Sequence, residues 1–121
     1  HAPRLPETYH MINKGNLGLM KDGAIFINTS RGALVDETAL IEELETGRIF
    51  ACLDVTDPEP PGTDSPLRKL ENVILTPHVG ATSGVYGFRM RGRFAVMQVC
   101  NFINGKDLDY EVTREMMGII A

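Results

Sequence analysis

The sequence predicts an α/β fold built on a parallel β-sheet, and two observations lead to this prediction. Three short apolar runs, at residues 24–28, 49–53 and 73–76, lack the polar–apolar alternation of a half-exposed strand. Continuous runs of this kind are typical of strands buried on both faces of a parallel sheet. A helix signal lies between the first two runs, and strand–helix–strand is the βαβ unit, whose crossover is right-handed.

Helices are expected before the first strand and between the first two strands. A short helix is predicted over residues 16–21, ending near Gly23. The helix between the strands begins at Asp36, a favourable N-cap residue, and Gly47 suits the left-handed position that follows a helix. The apolar stripe of this helix consists of Leu40, Ile41 and Leu44.

A proline-rich loop and a long helix complete the predicted elements. Residues 57–67 contain four prolines, which enforce a rigid and extended connection between the second and third strands. A last helix ending near Gly105 is predicted by apolar residues at helical spacing, namely Val96, Val99, Cys100 and Ile103. Its first half is weakened by Gly84, Gly87 and Gly92, so it is expected to start late or to pack closely.

Composition excludes several classes of protein. The 121 residues fit one ordinary domain, with 43% apolar and 23% charged residues. A net charge of -4 argues against nucleic acid as a partner, because no basic excess is available to neutralise phosphates. The basic cluster of Arg89, Arg91 and Arg93 is interpreted as a solvated helix face. No apolar run approaches the roughly 20 residues that span a bilayer, so no membrane association is expected.

The cysteines and the first residues favour a cytoplasmic protein. Cys52 and Cys100 are the two cysteines, and both are interpreted as buried small apolar residues without a disulfide. Residues 1–8 are polar and contain two prolines, unlike a signal peptide. His1, His10 and His78 are too scattered for a metal site, and no C-x-x-C or H-x-x-x-H spacing occurs, so no zinc is expected.

Polar residues of catalytic type follow the predicted strands. Arg31 has a planar guanidinium group that can form two parallel hydrogen bonds with a carboxylate. His78 can accept or donate a proton near neutral pH. Glu59 could orient the imidazole if the two side chains meet, and Asp54 could contact a ligand at the strand ends.

Each of these four residues also has an ordinary interpretation. Arg31 could be a surface arginine, His78 a turn residue after a proline, and Glu59 a polar residue of the loop. Asp54 could form an Asx-type turn with nearby backbone. The sequence alone does not show that Glu59 and His78 meet.

The ordered set of motifs resembles the D-isomer-specific 2-hydroxyacid dehydrogenase family. The resemblance extends from residue 1 to about residue 105. It is carried by residues 1–8, 20–24, 28–36, 53–55, 58–60, 72–80 and 101–105, which include N-T-S-R-G-A-L-V-D, P-E-P and N-V-I-L-T-P-H-V-G.

The resemblance implies hydride transfer between NAD or NADP, with NAD favoured, and a small 2-oxo or D-2-hydroxy acid. It implies that Arg31 binds the substrate carboxylate, that His78 moves the proton and that Glu59 holds His78. The residues implied to contact the cofactor are Ala2, Thr29, Ser30, Arg31, Asp54, His78 and Gly80. A homodimer is expected.

One departure from the family pattern shapes these expectations. The family's G-x-G-x-x-G phosphate loop is absent, and Gly15, Gly18 and Gly23 do not reproduce it. The chain is therefore interpreted as half of a doubly wound, Rossmann-like parallel sheet with flanking helices. Residues 1–82 would form the second half of the NAD-binding domain, and residues 83–121 a crossover helix and a tail toward the substrate domain. We expect this chain alone to be inactive, and its half-sheet to present an unpaired edge.

Two further functions stay open at this point. The chain could belong to an NAD(H)-sensing corepressor-like interaction module of the same fold, which would retain Arg31, Glu59 and His78. It could also be a half-domain without a catalytic role. The sequence does not distinguish among 2-hydroxy acids as substrates.

Overall fold

The computed structural model describes residues 2–80 and 84–119. These residues fall into two compact units, one ending at His78 and the other beginning at Val79, and each is described by itself. His1 lies outside the described residues, as do residues 81–83, where the predicted boundary between residues 82 and 83 falls.

The first unit is built on a three-stranded parallel sheet, which confirms the predicted α/β fold class. The strands are β1 (Ile25–Asn28), β2 (Phe50–Leu53) and β3 (Val73–Leu75), in the order β1-β2-β3. Ile25 pairs with Phe50, and Ala51 pairs with Val73. Because the strands are parallel, their carboxyl ends meet at one edge of the sheet.

Two helices belong to this unit, α1 (Lys14–Leu17) and α2 (Glu37–Glu45). The Asp36 carboxylate accepts a hydrogen bond from the backbone nitrogen of Ala39, as an N-cap should. Gly47 has a φ of +73°, the left-handed conformation predicted for it. The helix predicted over residues 16–21 lies too far toward the C-terminus. The structure has it at Lys14–Leu17, because the side chain of Asn13 accepts a hydrogen bond from the backbone nitrogen of Gly15 and caps an earlier N-terminus.

The hydrophobic core lies on one face of the sheet. Leu17 of α1 and Leu40 and Leu44 of α2 pack with Ala51 and Leu53 of β2. The opposite face carries apolar side chains that are 48% to 65% exposed, namely Ile25, Ile27, Phe50 and Ile74. The prediction of strands buried on both faces is therefore wrong for this unit, because α1 and α2 both cover the same face.

Both outer strands of the sheet are edge strands. Among the described residues, β1 and β3 each pair with β2 alone in the three-stranded sheet. The edge of β1 thus presents unpaired backbone groups next to an exposed apolar face. Cys52 faces this side, between Ile27 and Ile74 in the register, and is half-buried rather than fully buried as predicted.

The second unit contains α3 (Gly84–Ile103) and a 3-10 helical segment at Arg114–Gly118. The helix does not start late, since it begins at Gly84, and Gly105 follows its end with a φ of +63°, the left-handed conformation expected there. Cys100 is exposed, contrary to the prediction, since the unit has too little other structure to cover a 20-residue helix. Arg89, Arg91 and Arg93 are exposed on α3.

Candidate active site

The loops that follow the three strands are joined by backbone hydrogen bonds. The nitrogen of Asp54 donates to the carbonyl of Asn28 at 2.9 Å, and the nitrogen of His78 donates to the carbonyl of Asp54 at 3.0 Å. Residues far apart in the sequence therefore lie side by side at the carboxyl edge of the sheet. In open α/β sheets this edge is where ligands bind.

The loop after β1 is shaped by Asn28, which is 7% exposed. Its amide nitrogen donates to the carbonyl of Arg31 at 3.0 Å, and its amide oxygen accepts from the nitrogen of Ser30 at 3.1 Å. The hydroxyl of Ser30 donates to the carbonyl of Ala2 at 3.4 Å, so two residues implied for cofactor binding meet. Thr29 is exposed. The exposed Arg31 guanidinium donates from Nη1 to the carbonyl of Ser30 at 2.7 Å.

Gly32 lets the loop after β1 approach the loop after β2. A Cβ atom at this position would lie 2.0 Å from the carbonyl oxygen of Thr56 and 2.7 Å from the nitrogen of Asp57. That nitrogen donates to Oε2 of Glu37, in the first turn of α2, at 3.0 Å. Burial raises the pKa of the Glu37 carboxyl above its usual value. The loop that carries Glu59 is thus held against its neighbours at its beginning.

The imidazole of His78 contacts the carboxylate of Glu59. Its Nδ1 lies 2.5 Å from Oε1 of Glu59, and the side chains are 43% and 41% exposed. His78 has a φ of +52°, in the left-handed region that is sparsely populated by residues other than glycine. Such strain is concentrated at functional sites, where surrounding contacts over-determine the conformation. Here the His78 nitrogen is held by the carbonyls of Asp54 and Thr76.

Asp54 is 6% exposed at the end of β2, and its carboxylate reaches the neighbouring strand end. The hydroxyl of Thr76 donates to Oδ1 of Asp54 at 2.5 Å. The two strand ends are thereby joined through side chains as well as through the backbone of His78. Beyond these contacts, the carboxylate lies at the same edge as the imidazole.

A cavity of about 480 Å³ adjoins these residues. It is lined by Asp54, Thr56, Glu59, Pro60, Pro61, Arg68, Leu75, Thr76, Pro77 and His78. Arg31 does not line the cavity, because its side chain folds back onto the carbonyl of Ser30. The structure thus brings Asp54, Glu59 and His78 together and leaves Arg31 on the neighbouring loop. Gly80 belongs to the second unit.

Several residues that shape the site were not singled out from the sequence. Asn28 had a usable signal, since an asparagine at a strand end favours an Asx turn. Glu37 had a weaker signal, since an acidic residue in the first turn of a predicted helix is favourable there. Local sequence patterns gave no indication of the contacts that Thr76 and Arg68 make. The partner of Thr76 lies far away along the chain, and the partners of Arg68 lie in an irregular loop.

The side chains at the strand ends fit a dinucleotide. Within residues 2–80 and 84–119, no group of three or more His, Cys, Asp or Glu side chains is placed to hold a metal ion. The buried Asp54 carboxylate suits the amide group of a nicotinamide, which donates hydrogen bonds. The residues present therefore fit the nicotinamide end of a dinucleotide, whereas the sequence lacks the Gly-rich loop for its pyrophosphate.

The fold is that of a dinucleotide-binding α/β unit, in which a histidine contacts a glutamate at the strand ends. Residues 1–80 match the model of the D-isomer specific 2-hydroxyacid dehydrogenase, NAD binding domain. This match covers more than half of the chain, and the chain therefore belongs to this family. In the described ranges, no helix is both long and apolar enough to cross a membrane.

Curated relatives share nearly half of the matched residues. The chain is 49% identical over 84 residues to a D-3-phosphoglycerate dehydrogenase from Archaeoglobus fulgidus. The matched region covers 69% of this chain and 16% of the relative. It is 47% identical over 104 residues to a glyoxylate reductase from Korarchaeum cryptofilum, covering 85% of this chain and 30% of the relative. The chain thus spans less than a third of the length of these relatives.

Solved structures have the same fold. The TT0316 protein from Thermus thermophilus matches with a TM-score of 0.84 and 41% identity, over 93% of this chain and 36% of that one. A D-lactate dehydrogenase with NAD+ from Lactobacillus jensenii matches with a TM-score of 0.82 and 33% identity, over 94% and 38%. A family member from Xanthobacter autotrophicus Py2, in complex with NADPH and MES, matches with a TM-score of 0.77 and 36% identity, over 92% and 45%.

Proposed function

We propose that this chain supplies the acid–base pair of an NAD(P)-dependent D-2-hydroxyacid dehydrogenase, which interconverts 2-oxo acids and D-2-hydroxy acids. The observation that carries the proposal is the 2.5 Å contact between Glu59 and His78 beside the cavity at the strand ends. The relatives named glyoxylate reductase and D-3-phosphoglycerate dehydrogenase support the same reaction class.

His78 is the proposed proton carrier and Glu59 its positioning partner. With hydrogen on Nδ1 directed at the Glu59 carboxylate, Nε2 is the atom that gives a proton to the substrate carbonyl oxygen. In the reverse direction Nε2 takes the proton from the hydroxyl group. The contact with the Glu59 carboxylate fixes the orientation of the ring. The nicotinamide cofactor, when bound, supplies the hydride.

Arg31 is the proposed site for the substrate carboxylate. Its guanidinium has five N–H donors, and the Nη1 contact with the carbonyl of Ser30 uses one of them. The remaining donors can bind both oxygens of a carboxylate. The contact with the carbonyl of Ser30 orients the Arg31 side chain. Arg31 lies on the loop after β1, which approaches the loop after β2 closely at Gly32.

The proposed cofactor residues lie on the same loops. Asp54 would accept from the nicotinamide amide, and backbone and small polar groups would line the rest of the cofactor. These are Ala2, Thr29, Ser30, Arg31, His78 and Gly80. We propose NAD rather than NADP as the preferred cofactor. Comparing the binding of NADH and NADPH to the full-length protein that carries these residues tests this preference, because the residues that read the ribose lie outside this chain.

The remaining proposals concern the whole protein. Residues 1–82 would complete the cofactor domain and residues 83–121 would lead toward the substrate domain. We further propose a cytoplasmic homodimer that acts on a small acid and binds neither nucleic acid nor membranes. Sedimentation of the protein carrying these residues tests the homodimer.

A hybrid enzyme tests the reaction. The chain would replace the matched residues of the Korarchaeum cryptofilum glyoxylate reductase, to which it is 47% identical over 104 residues. We expect glyoxylate reduction by the hybrid, and no turnover by the 121-residue chain alone. His78→Gln should lower kcat by about 100-fold or more, the usual contribution of a general acid. Glu59→Gln should have a smaller effect, because it removes the charge but keeps a polar partner.

His10→Gln is the matched control, since His10 lies outside the cavity lining. It should leave kcat within a factor of about two, because it removes an imidazole without changing the proposed proton carrier. A folded hybrid in which His78→Gln turns over as fast as the unchanged hybrid would rule out the proposed proton transfer.

A further inference from the structure

The loop that carries Glu59 is short of backbone hydrogen-bond donors. Residues 57–66 include Pro58, Pro60, Pro61 and Pro66, none of which has an N–H group. The carbonyls of such a loop cannot all be satisfied by its own backbone. The backbone nitrogen of Ser65 donates to the carbonyl of Gly62 at 3.2 Å, and side chains outside the proline run supply further donors.

Two side chains supply these donors, one on each side of Glu59. The hydroxyl of Thr56 donates to the carbonyl of Pro58 at 2.9 Å. Beyond Glu59, Arg68 donates from Nη2 to the carbonyl of Pro61 at 2.8 Å and from Nε to the carbonyl of Gly62 at 2.9 Å. The planar guanidinium thus holds two successive carbonyls in a fixed relation.

Arg68 is itself attached to the hydrophobic core. It ends the 3-10 turn Pro66–Arg68, and the preceding residue, Leu67, is 1% exposed in the core. The exposed guanidinium of Arg68 also lines the same cavity as Glu59 and His78. A rigid point of the core is thereby connected to the loop only two residues after Glu59.

We propose that Arg68 is a positioning residue that holds the proline loop so that the Glu59 carboxylate stays in contact with Nδ1 of His78. The functional meaning rests on the proposed function, in which this contact orients the proton carrier. In the described part of the chain, Arg68 makes neither a hydrogen bond nor an ion pair with the side chain of Glu59 or His78. Its effect is transmitted through the backbone at Pro61 and Gly62.

NMR of the imidazole of His78 in the full 121-residue chain tests this proposal. The wild-type chain should show an Nδ1–H proton signal that is lost in Glu59→Gln or weakened there. In Arg68→Met, this proton should exchange with water about three- to ten-fold faster. This factor corresponds to the loss of about one hydrogen bond's net contribution to stability. Arg68→Lys should lie between the two, because a lysine can donate but cannot hold two carbonyls in a plane.

Lys69→Met is the matched control, because it removes a neighbouring exposed positive charge that makes no salt bridge in the described part of the chain. It should leave the signal unchanged. An Arg68→Met chain with wild-type exchange, or equal acceleration in Lys69→Met, would overturn the role of Arg68 alone. A wild-type chain without a Glu59–His78 hydrogen bond would overturn the proposed function as well. Backbone amide signals of β1 and β2 report whether each variant remains folded.

Discussion

Replacing Gly32 by alanine tests the contact that brings the two loops of the candidate site together. The added Cβ atom would lie 2.0 Å from the carbonyl oxygen of Thr56 and 2.1 Å from its carbonyl carbon. Ordinary contact begins at 3.4 Å, so one loop must retreat by about 1.4 Å. Both obstructing atoms belong to the backbone, so no side-chain rotation can relieve the clash.

The cost of this retreat follows from what it breaks. Overpacking at a well-packed position costs about 1–3 kcal/mol. The retreat also pulls the nitrogen of Asp57 away from Oε2 of Glu37, now 3.0 Å apart. A hydrogen bond to a charged group contributes about 1.5–3 kcal/mol, and the lower end applies because Glu37 is only partly buried. We expect Gly32→Ala to lower the free energy of unfolding by about 3 kcal/mol.

Urea unfolding of the chain, followed by circular dichroism, measures this loss. Gly62→Ala is the matched control, because its Cβ would meet only the flexible side chain of Asp64, at 3.3 Å. The control should change the free energy of unfolding by no more than about 0.5 kcal/mol. If Gly32→Ala unfolds at the same urea concentration as Gly62→Ala, the two loops do not approach as the structure shows.

Three further predictions follow from single contacts. Thr76→Val should weaken NADH binding by the hybrid enzyme about three- to ten-fold, because Asp54 loses the hydroxyl that orients it. Thr76→Ser keeps the hydroxyl and should bind NADH as the unchanged hybrid does. Equal affinities of all three proteins in fluorescence titrations would contradict this prediction. Gly92→Ala should raise the stability of α3 by about 1 kcal/mol, since its Cβ meets nothing within 4 Å, and unchanged unfolding would refute it. The raised pKa of Glu37 means that the folded state keeps the carboxyl proton to a higher pH than the unfolded state does. The contribution of Glu37 to stability should therefore be largest below pH 4.5 and fall as the pH rises through the folded-state pKa. The difference in unfolding free energy between the wild type and Glu37→Gln measures this trend, and a difference that grows with pH would contradict it.

Local signals in the sequence were sufficient for most elements of the fold. The strands β1, β2 and β3 follow from continuous apolar runs, and α2 from the cap at Asp36 and the glycine at position 47. These signals act within a few residues, so they can be recognised without tertiary information. The start of α1 was misplaced because the cap at Asn13 competed with a weak apolar pattern.

Burial was harder to predict than secondary structure. The apolar runs indicated strands covered on both faces, yet Ile25 and Ile74 are exposed, because helices occupy one side only. Cys100 was expected to be buried on an apolar stripe and is exposed. An apolar pattern shows that a surface requires a partner, but it does not show whether the same chain supplies one.

The amino-acid sequence by itself determined the parallel α/β unit, the family and the candidate residues Arg31, Asp54, Glu59 and His78, because strand signals and ordered motifs are local properties. Only the tertiary structure decided that the imidazole of His78 meets Glu59, that Asp54 meets Thr76, and that Arg31 folds back onto Ser30. The first two contacts depend on the register of parallel strands and on the close approach at Gly32, whereas the contact of Arg31 lies within one loop. Both arise from packing between segments that are distant along the chain.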